Sequence, residues 1–266
     1  MIGQERVLEW VDNNINSFPQ FIVLIGSSGS GKRTLAKTIS DKLSLTYAQC
    51  EISVSSVREM IDTSYKTHEK VLYCFEDADN MRPEAKNALL KITEEPPKNS
   101  YFCLTITDSS YLLDTLKSRA MVFNMQPYTR EQINQYAIDK HDSNLELYSL
   151  LCDVPGEVDI LSTYDTEEFF DFTELVLDNI GEVQPANAFK SSNELSLKKD
   201  SDGYDLKLFW KCFVQICLNR IERNENVAKM SKAILATEPF INRVSRIGVN
   251  KQQLYDNWVF SVREVL

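Results

Sequence analysis

The sequence predicts an α/β domain built on a parallel sheet, followed by a region of helices only. Three observations carry this. Apolar runs at Phe21–Ile25, Val71–Phe75 and Tyr101–Thr107 read as strands covered on both faces. Stretches of helical period separate them, and strands alternating with helices give a doubly wound sheet with ligands at its carboxyl end. After Pro127 the strand pattern stops.

Taken in order, residues 5–16 place Val7, Leu8, Val11 and Ile15 at helical spacing, and Phe21–Ile25 is a strand ending at a glycine. The helix after it repeats Leu35, Ala36, Ile39 and Leu43 on one face. Val71–Phe75 is the second strand, Pro83–Glu94 a helix and Tyr101–Thr107 the third strand. Thr129–Lys140 then opens with a Thr-x-x-Gln capping box. Short helices near Glu146–Leu151 and Glu157–Leu161 flank Pro155-Gly156. Longer ones follow at Glu167–Asn179, Leu206–Glu222 and Lys251–Val265, separated by polar segments such as Ser191–Gly203.

The 266 residues carry 29 Lys and Arg against 39 Asp and Glu, a net charge of −10. The distribution is uneven: His141–Phe189 holds twelve acidic residues and no Lys or Arg, whereas Tyr204–Leu266 holds ten basic against six acidic. So acidic a chain should not bind nucleic acid tightly alone, because Lys and Arg on phosphates supply most non-specific affinity. The six cysteines form no CxxC pair and sit among apolar neighbours, and the two histidines are far apart, which argues against zinc. The polar start MIGQERVLEWV is not expected to act as a signal peptide, and no apolar run reaches the ~18 residues of a membrane span. The expected compartment is a reducing cytoplasm, with no membrane partner.

Gly26-Ser27-Ser28-Gly29-Ser30-Gly31-Lys32 follows a strand and opens a helix, the context that G-x-x-x-x-G-K requires. Glycines let backbone N–H groups turn onto phosphate oxygens, the helix N-terminus adds positive potential, and Lys32 neutralises β/γ charge. The next residue should supply a hydroxyl to Mg²⁺ but is Arg33, and Thr34 comes one position late. In VLYCFEDAD, Glu76 stands where a metal-holding Asp is expected and Asp77 where the base belongs, so one carboxylate is a methylene too long and the other too short. Nucleotide binding with weakened metal coordination is expected.

The stretch Asp77-Ala78-Asp79-Asn80-Met81-Arg82-Pro83-Glu84-Ala85-Lys86-Asn87-Ala88-Leu89-Leu90-Lys91-Ile92-Thr93-Glu94-Glu95-Pro96-Pro97 resembles the "DEADxMxxEAxNALLKxLEEPP" signature of clamp-loader AAA+ subunits. Thr107-Asp108, Leu112-Leu113, Thr115 and Ser118-Arg119 resemble the segment that follows it in that family, and Gly3-Gln4-Glu5 and Val249–Leu254 its two ends. The delta-prime subunits of bacterial DNA polymerase III, with phage relatives, are the most similar branch. The resemblance implies an AAA+ P-loop core at 1–127, a helical lid at 128–165 and an all-α collar at 166–266 through which subunits form a ring. The basic excess of Tyr204–Leu266 suits acidic neighbours there.

Residue by residue, the resemblance makes Lys32 the phosphate lysine, Glu76 and Asp77 the metal and base carboxylates, Thr107 the first sensor and Arg119 the arginine finger. That finger acts on a neighbour's ATP, a role suited to a planar, permanently charged, multidentate group. The second sensor, an arginine near Gly156–Leu161 in the family, is missing; Glu157 and Asp159 stand there and should add repulsion. The implied cofactor is ATP with Mg²⁺, held weakly or not at all. The implied partners are other clamp-loader subunits, a sliding clamp and, through the assembled complex only, primed DNA. Three readings stay open: a structural clamp-loader subunit that offers Arg119 in trans, an active ATP-hydrolysing motor subunit, and an interaction module of a replication complex.

Overall fold

In β1 (Phe21–Ile25) alternate side chains enter different cores, which is why the run is apolar throughout. Ile22 and Leu24 pack with Val7 and Val11 of α1 (Glu5–Asn13) and with Leu35, Ala36 and Ile39 of α2 (Lys32–Lys42). Phe21 and Val23 face the other way, toward Val57 and Met60 of α3 (Val54–Ser64) and Ala85, Leu89 and Ile92 of α4 (Pro83–Glu94). The other strands are β2 (Thr46–Cys50), β3 (Val71–Phe75), β4 (Ser100–Ile106) and β5 (Met121–Asn124). All pairings are parallel, in the order β2-β3-β4-β1-β5.

Both ends of β1 are tied to β4. Before it, Gln20 Nε2 donates to the carbonyls of Pro97 (2.7 Å) and Ser100 (2.8 Å), and the Gln20 carbonyl accepts from Phe102 N–H (2.7 Å). After it, Gly26 N–H donates to the Ile106 carbonyl at 3.1 Å.

This computed structural model describes residues 2–140, 144–181, 204–245 and 248–266. His141, residues 182–189 of the acidic block and the polar segment Ser191–Gly203 lie outside them. The chain divides into two compact units, Met1–Gln132 and Ile133–Leu266.

The first unit contains elements the sequence pattern does not announce: β2, α3, β5 and the short α5 (Asp114–Lys117). β2 and β5 are the sheet's edges, and their exposed Thr46, Gln49 and Asn124 break any apolar run. α3 is capped by the Ser53 hydroxyl, which accepts from Ser56 N–H. The first helix stops at Asn13, and Ile15, expected on its apolar face, is exposed.

The helix expected at Thr129–Lys140 is α6 (Arg130–Asp139). Its capping box is present: Thr129 Oγ1 accepts from Gln132 N–H, and Gln132 Oε1 from Thr129 N–H. The second unit goes on with α7 (Leu145–Leu151), α8 (Pro155–Leu161), α9 (Thr166–Ile180), α10 (Leu206–Glu222), α11 (Val227–Arg243) and α12 (Lys251–Arg263). α11 goes unannounced because Pro239, ordinarily a breaker, lies inside it. Trp258 of α12 donates through Nε1 to Thr237 Oγ1 of α11 at 3.0 Å, and Phe209 and Phe213 of α10 meet its ring edge to face.

The expectation that Glu157 and Asp159 present bare negative charge is corrected. Glu157 is buried and paired with two lysines of α10, Lys207 (2.6 Å) and Lys211 (2.8 Å), and it accepts from Asp153 N–H. Asp159 accepts from Tyr136 Oη and pairs with Lys140. Arg220 bridges Glu174 and Asp178 of α9. Three of the ten basic residues of Tyr204–Leu266, Lys207, Lys211 and Arg220, thus pair with acids within this unit. Among the described residues, no helix is long and apolar enough to cross a membrane. All six cysteines are free thiols.

Candidate phosphate-loop site

The glycine loop leaves β1 and enters α2 at the carboxyl edge of the sheet. Gly29 (φ 77°) and Gly31 (φ 84°) take left-handed conformations that turn the backbone inward. Gly26 is required for space as well, since a Cβ there would stand 2.6 Å from Met125 Cγ and 2.8 Å from Ser30 Oγ. Gly31 begins α2 with no side-chain cap, so the N-terminal amide donors of the helix are left to the loop. Tyr128 Oη donates to the Ser30 carbonyl at 2.8 Å and holds the loop from outside. Ser27 and Ser28 are exposed, whereas Ser30 Oγ is buried with no hydrogen-bond partner.

Lys32 is buried and spans the loop, donating from Nζ to the carbonyls of Gly26 (2.7 Å) and Ser27 (2.9 Å). Burial lowers its pKa from the ordinary lysine value, while Asp77 and Asp79 pull the other way.

The two departures from the phosphate-loop pattern meet each other. Arg33 Nε lies 3.1 Å from Glu76 Oε1, and Arg33 Nη2 donates to Gln49 Oε1 at 3.1 Å. Tyr47 Oη donates to the same Glu76 oxygen at 2.7 Å. Burial first, then contacts with Cys74 and Glu76, push the Tyr47 hydroxyl far above the ordinary tyrosine pKa, so it stays a donor. Thr34 is exposed on α2 and joins none of these groups. These residues do not fit a Mg²⁺ ion: a guanidinium stands where the motif places a hydroxyl, and Glu76, which the resemblance assigns to metal, already accepts from Arg33 and Tyr47. Among the described residues no cluster of three or more His, Cys, Asp or Glu is placed to hold a metal.

Asp77 is exposed and left-handed (φ 49°), with its N–H donating to Thr105 Oγ1. Thr107, just past β4, gives both its N–H (2.7 Å) and its hydroxyl (3.0 Å) to Asp79 Oδ1. Arg119 follows α5 on the surface. Its guanidinium pairs with Glu94 at the end of α4 and donates to the Thr115 carbonyl. The fold therefore gathers the loop, Lys32, Arg33, Glu76, Asp77 and Thr107 along one sheet edge and gives Arg119 a separate, exposed position. Sequence reasoning missed Tyr47, Gln49 and Tyr128, for which no motif speaks. Asp79 and Glu94 lie within the signature, but their partners, Thr107 and Arg119, are far from them in sequence.

Residues 23–129 match the family model described as "DNA polymerase III, delta subunit". A DNA polymerase III subunit gamma of Buchnera aphidicola is 26% identical over 166 residues, 50% of this chain and 46% of that protein. DNA polymerase III subunit delta' of Bacillus subtilis is 32% identical over 118 residues, 44% of this chain and 34% of that protein. The matched part thus spans about half or less of these curated relatives. Among solved structures, a gamma subunit-related protein of Thermotoga maritima superposes with a TM-score of 0.52 at 18% identity, covering 97% of this chain and 98% of that one. Residues 23–129, which hold the phosphate loop, are thus similar to the family described as "DNA polymerase III, delta subunit", and the fold is that of the gamma subunit-related protein.

Proposed function

We propose that the protein is a delta-prime-like clamp-loader subunit of DNA replication, unable to hydrolyse ATP in its own phosphate loop and contributing Arg119 to the site of a neighbouring subunit. The observation that carries this is the Arg33–Glu76 ion pair, which joins the two positions a hydrolytic site needs for metal. Arg119 supports the second half. It is an exposed arginine whose partner Glu94 is itself half exposed, and such pairs contribute only about 0–1 kcal/mol, so exchange onto another subunit's phosphate costs little. In this reading 128–165 forms the lid and 166–266 the collar that joins other subunits in a ring. The sliding clamp and primed DNA are met only through that assembly, in the cytoplasm.

Two measurements test the reading. The purified chain with Mg²⁺ should turn over ATP below about 0.1 s⁻¹, beneath ordinary kcat values. A faster rate that disappears in Lys32→Ala would sink the proposal. In an assembly reconstituted with ATP-hydrolysing subunits, Arg119→Ala should slow hydrolysis at the neighbouring site by roughly 10³-fold or more, the range of other arginine fingers.

A further inference from the structure

The geometry points to a phosphate loop that takes a nucleoside triphosphate without a divalent cation, the Arg33 guanidinium held by Glu76 serving as its built-in counter-ion. This deepens the reading of the loop given above and rests on it for the ligand's location.

A triphosphate needs its charge offset, and in P-loop proteins a hydroxyl-held metal supplies part of that. Here the position after Lys32 supplies a fixed positive charge instead, on the first turn of the helix whose amides face the loop. The charge is held in place: Glu76 accepts from Nε and Gln49 from Nη2 of the guanidinium, and Tyr47 fixes the carboxylate. Such a group costs no dehydration of a metal. Two further observations indicate that the loop is built for a ligand rather than collapsed. Ser30 Oγ is buried, faces Gly26 and has no partner, an arrangement that is costly unless something arrives to bond it. Lys32 is tied only to the loop's own carbonyls and is available for exchange.

The test is titration of the full-length chain with ATP by calorimetry, once in excess Mg²⁺ and once in excess EDTA. The wild-type dissociation constants should agree within about threefold, less than 1 kcal/mol. Arg33→Ser, at an exposed position and checked for an unchanged melting temperature, should lose about tenfold or more in EDTA and recover part of it when Mg²⁺ is added. Wild-type binding that tightens tenfold or more with Mg²⁺ overturns the inference, as does an Arg33→Ser chain that binds as tightly as wild type in EDTA. Absence of ATP binding in both buffers also overturns it, yet leaves the trans role of Arg119 standing, since that is measured at a neighbour's site. ATP turnover by the chain alone would instead defeat the non-hydrolytic reading while the two dissociation constants still decide the role of Arg33.

Discussion

At Asp77 a residue with a side chain occupies a left-handed backbone, φ 49° and ψ 42°, where β3 runs out. Backbone of this kind costs roughly 1–2 kcal/mol for most residues and persists where the surroundings over-determine it. Asp77→Val should lower the stability of the first unit by about that amount, and Asp77→Gly should leave it level or raised, both read by urea titration. Gly26 is constrained by space rather than by φ. Gly26→Ala would drive a methyl into Met125 and Ser30 Oγ and should cost about 1–3 kcal/mol in the same assay. Lys32, Arg33 and Glu76 were legible in the sequence, the first as a motif and the others as departures from one. Their mutual pairing was not, because it depends on Tyr47 and Gln49 of an edge strand whose pattern is too mixed to read. Cys50 on that strand has a thiol pushed up to about 12 by burial, so it should react slowly with iodoacetamide at pH 8.

Between elements, α8 and α10 are joined by a buried ion-pair cluster. Glu157 is 6% exposed and faces two lysines, so Glu157→Ala leaves Lys211 largely buried without its main counter-charge. A loss of about 3 kcal/mol is expected in thermal or chemical denaturation, the scale for breaking a buried pair from one side. Burial works against the charge on Lys211, but Glu157 and Asp153 outweigh it and hold its pKa above the ordinary 10.5. The sign follows from linkage. A raised folded pKa contributes stability that is whole below 10.5 and is lost as pH climbs through the folded value. Wild type should therefore lose more melting temperature than Lys211→Met as pH rises from about 10.5 to about 12. The helices themselves were legible wherever an apolar face repeats, as in α2, α4 and α10. α11 was hidden by Pro239, and the link from Glu157 to Lys207 and Lys211 crosses some fifty residues that periodicity cannot bridge.

For the whole molecule the net charge of −10 conceals an internal complementarity. Lys207, Lys211 and Arg220, from the basic C-terminal stretch, meet Asp153, Glu157, Glu174 and Asp178 of the acidic block. Cations engaged in this way are not available to phosphates, and the isolated chain should show no submicromolar affinity for primed DNA at physiological salt in fluorescence anisotropy. The fold class was readable from the three central strands because burial on both faces makes them apolar throughout. The edge strands escaped because one side of each meets solvent.

That same two-sided burial bears on how the phosphate loop is aimed. Sliding β1 along β4 by one residue would exchange one apolar set for another rather than expose it, so hydrophobicity alone cannot index the strand. The indexing falls to polar stops at its ends: Gln20 on the carbonyls of Pro97 and Ser100, and Gly26 N–H on Ile106. The loop is thereby gauged against β4, and its offset from Thr107, the residue after Ile106, is set by backbone hydrogen bonds before any phosphate arrives.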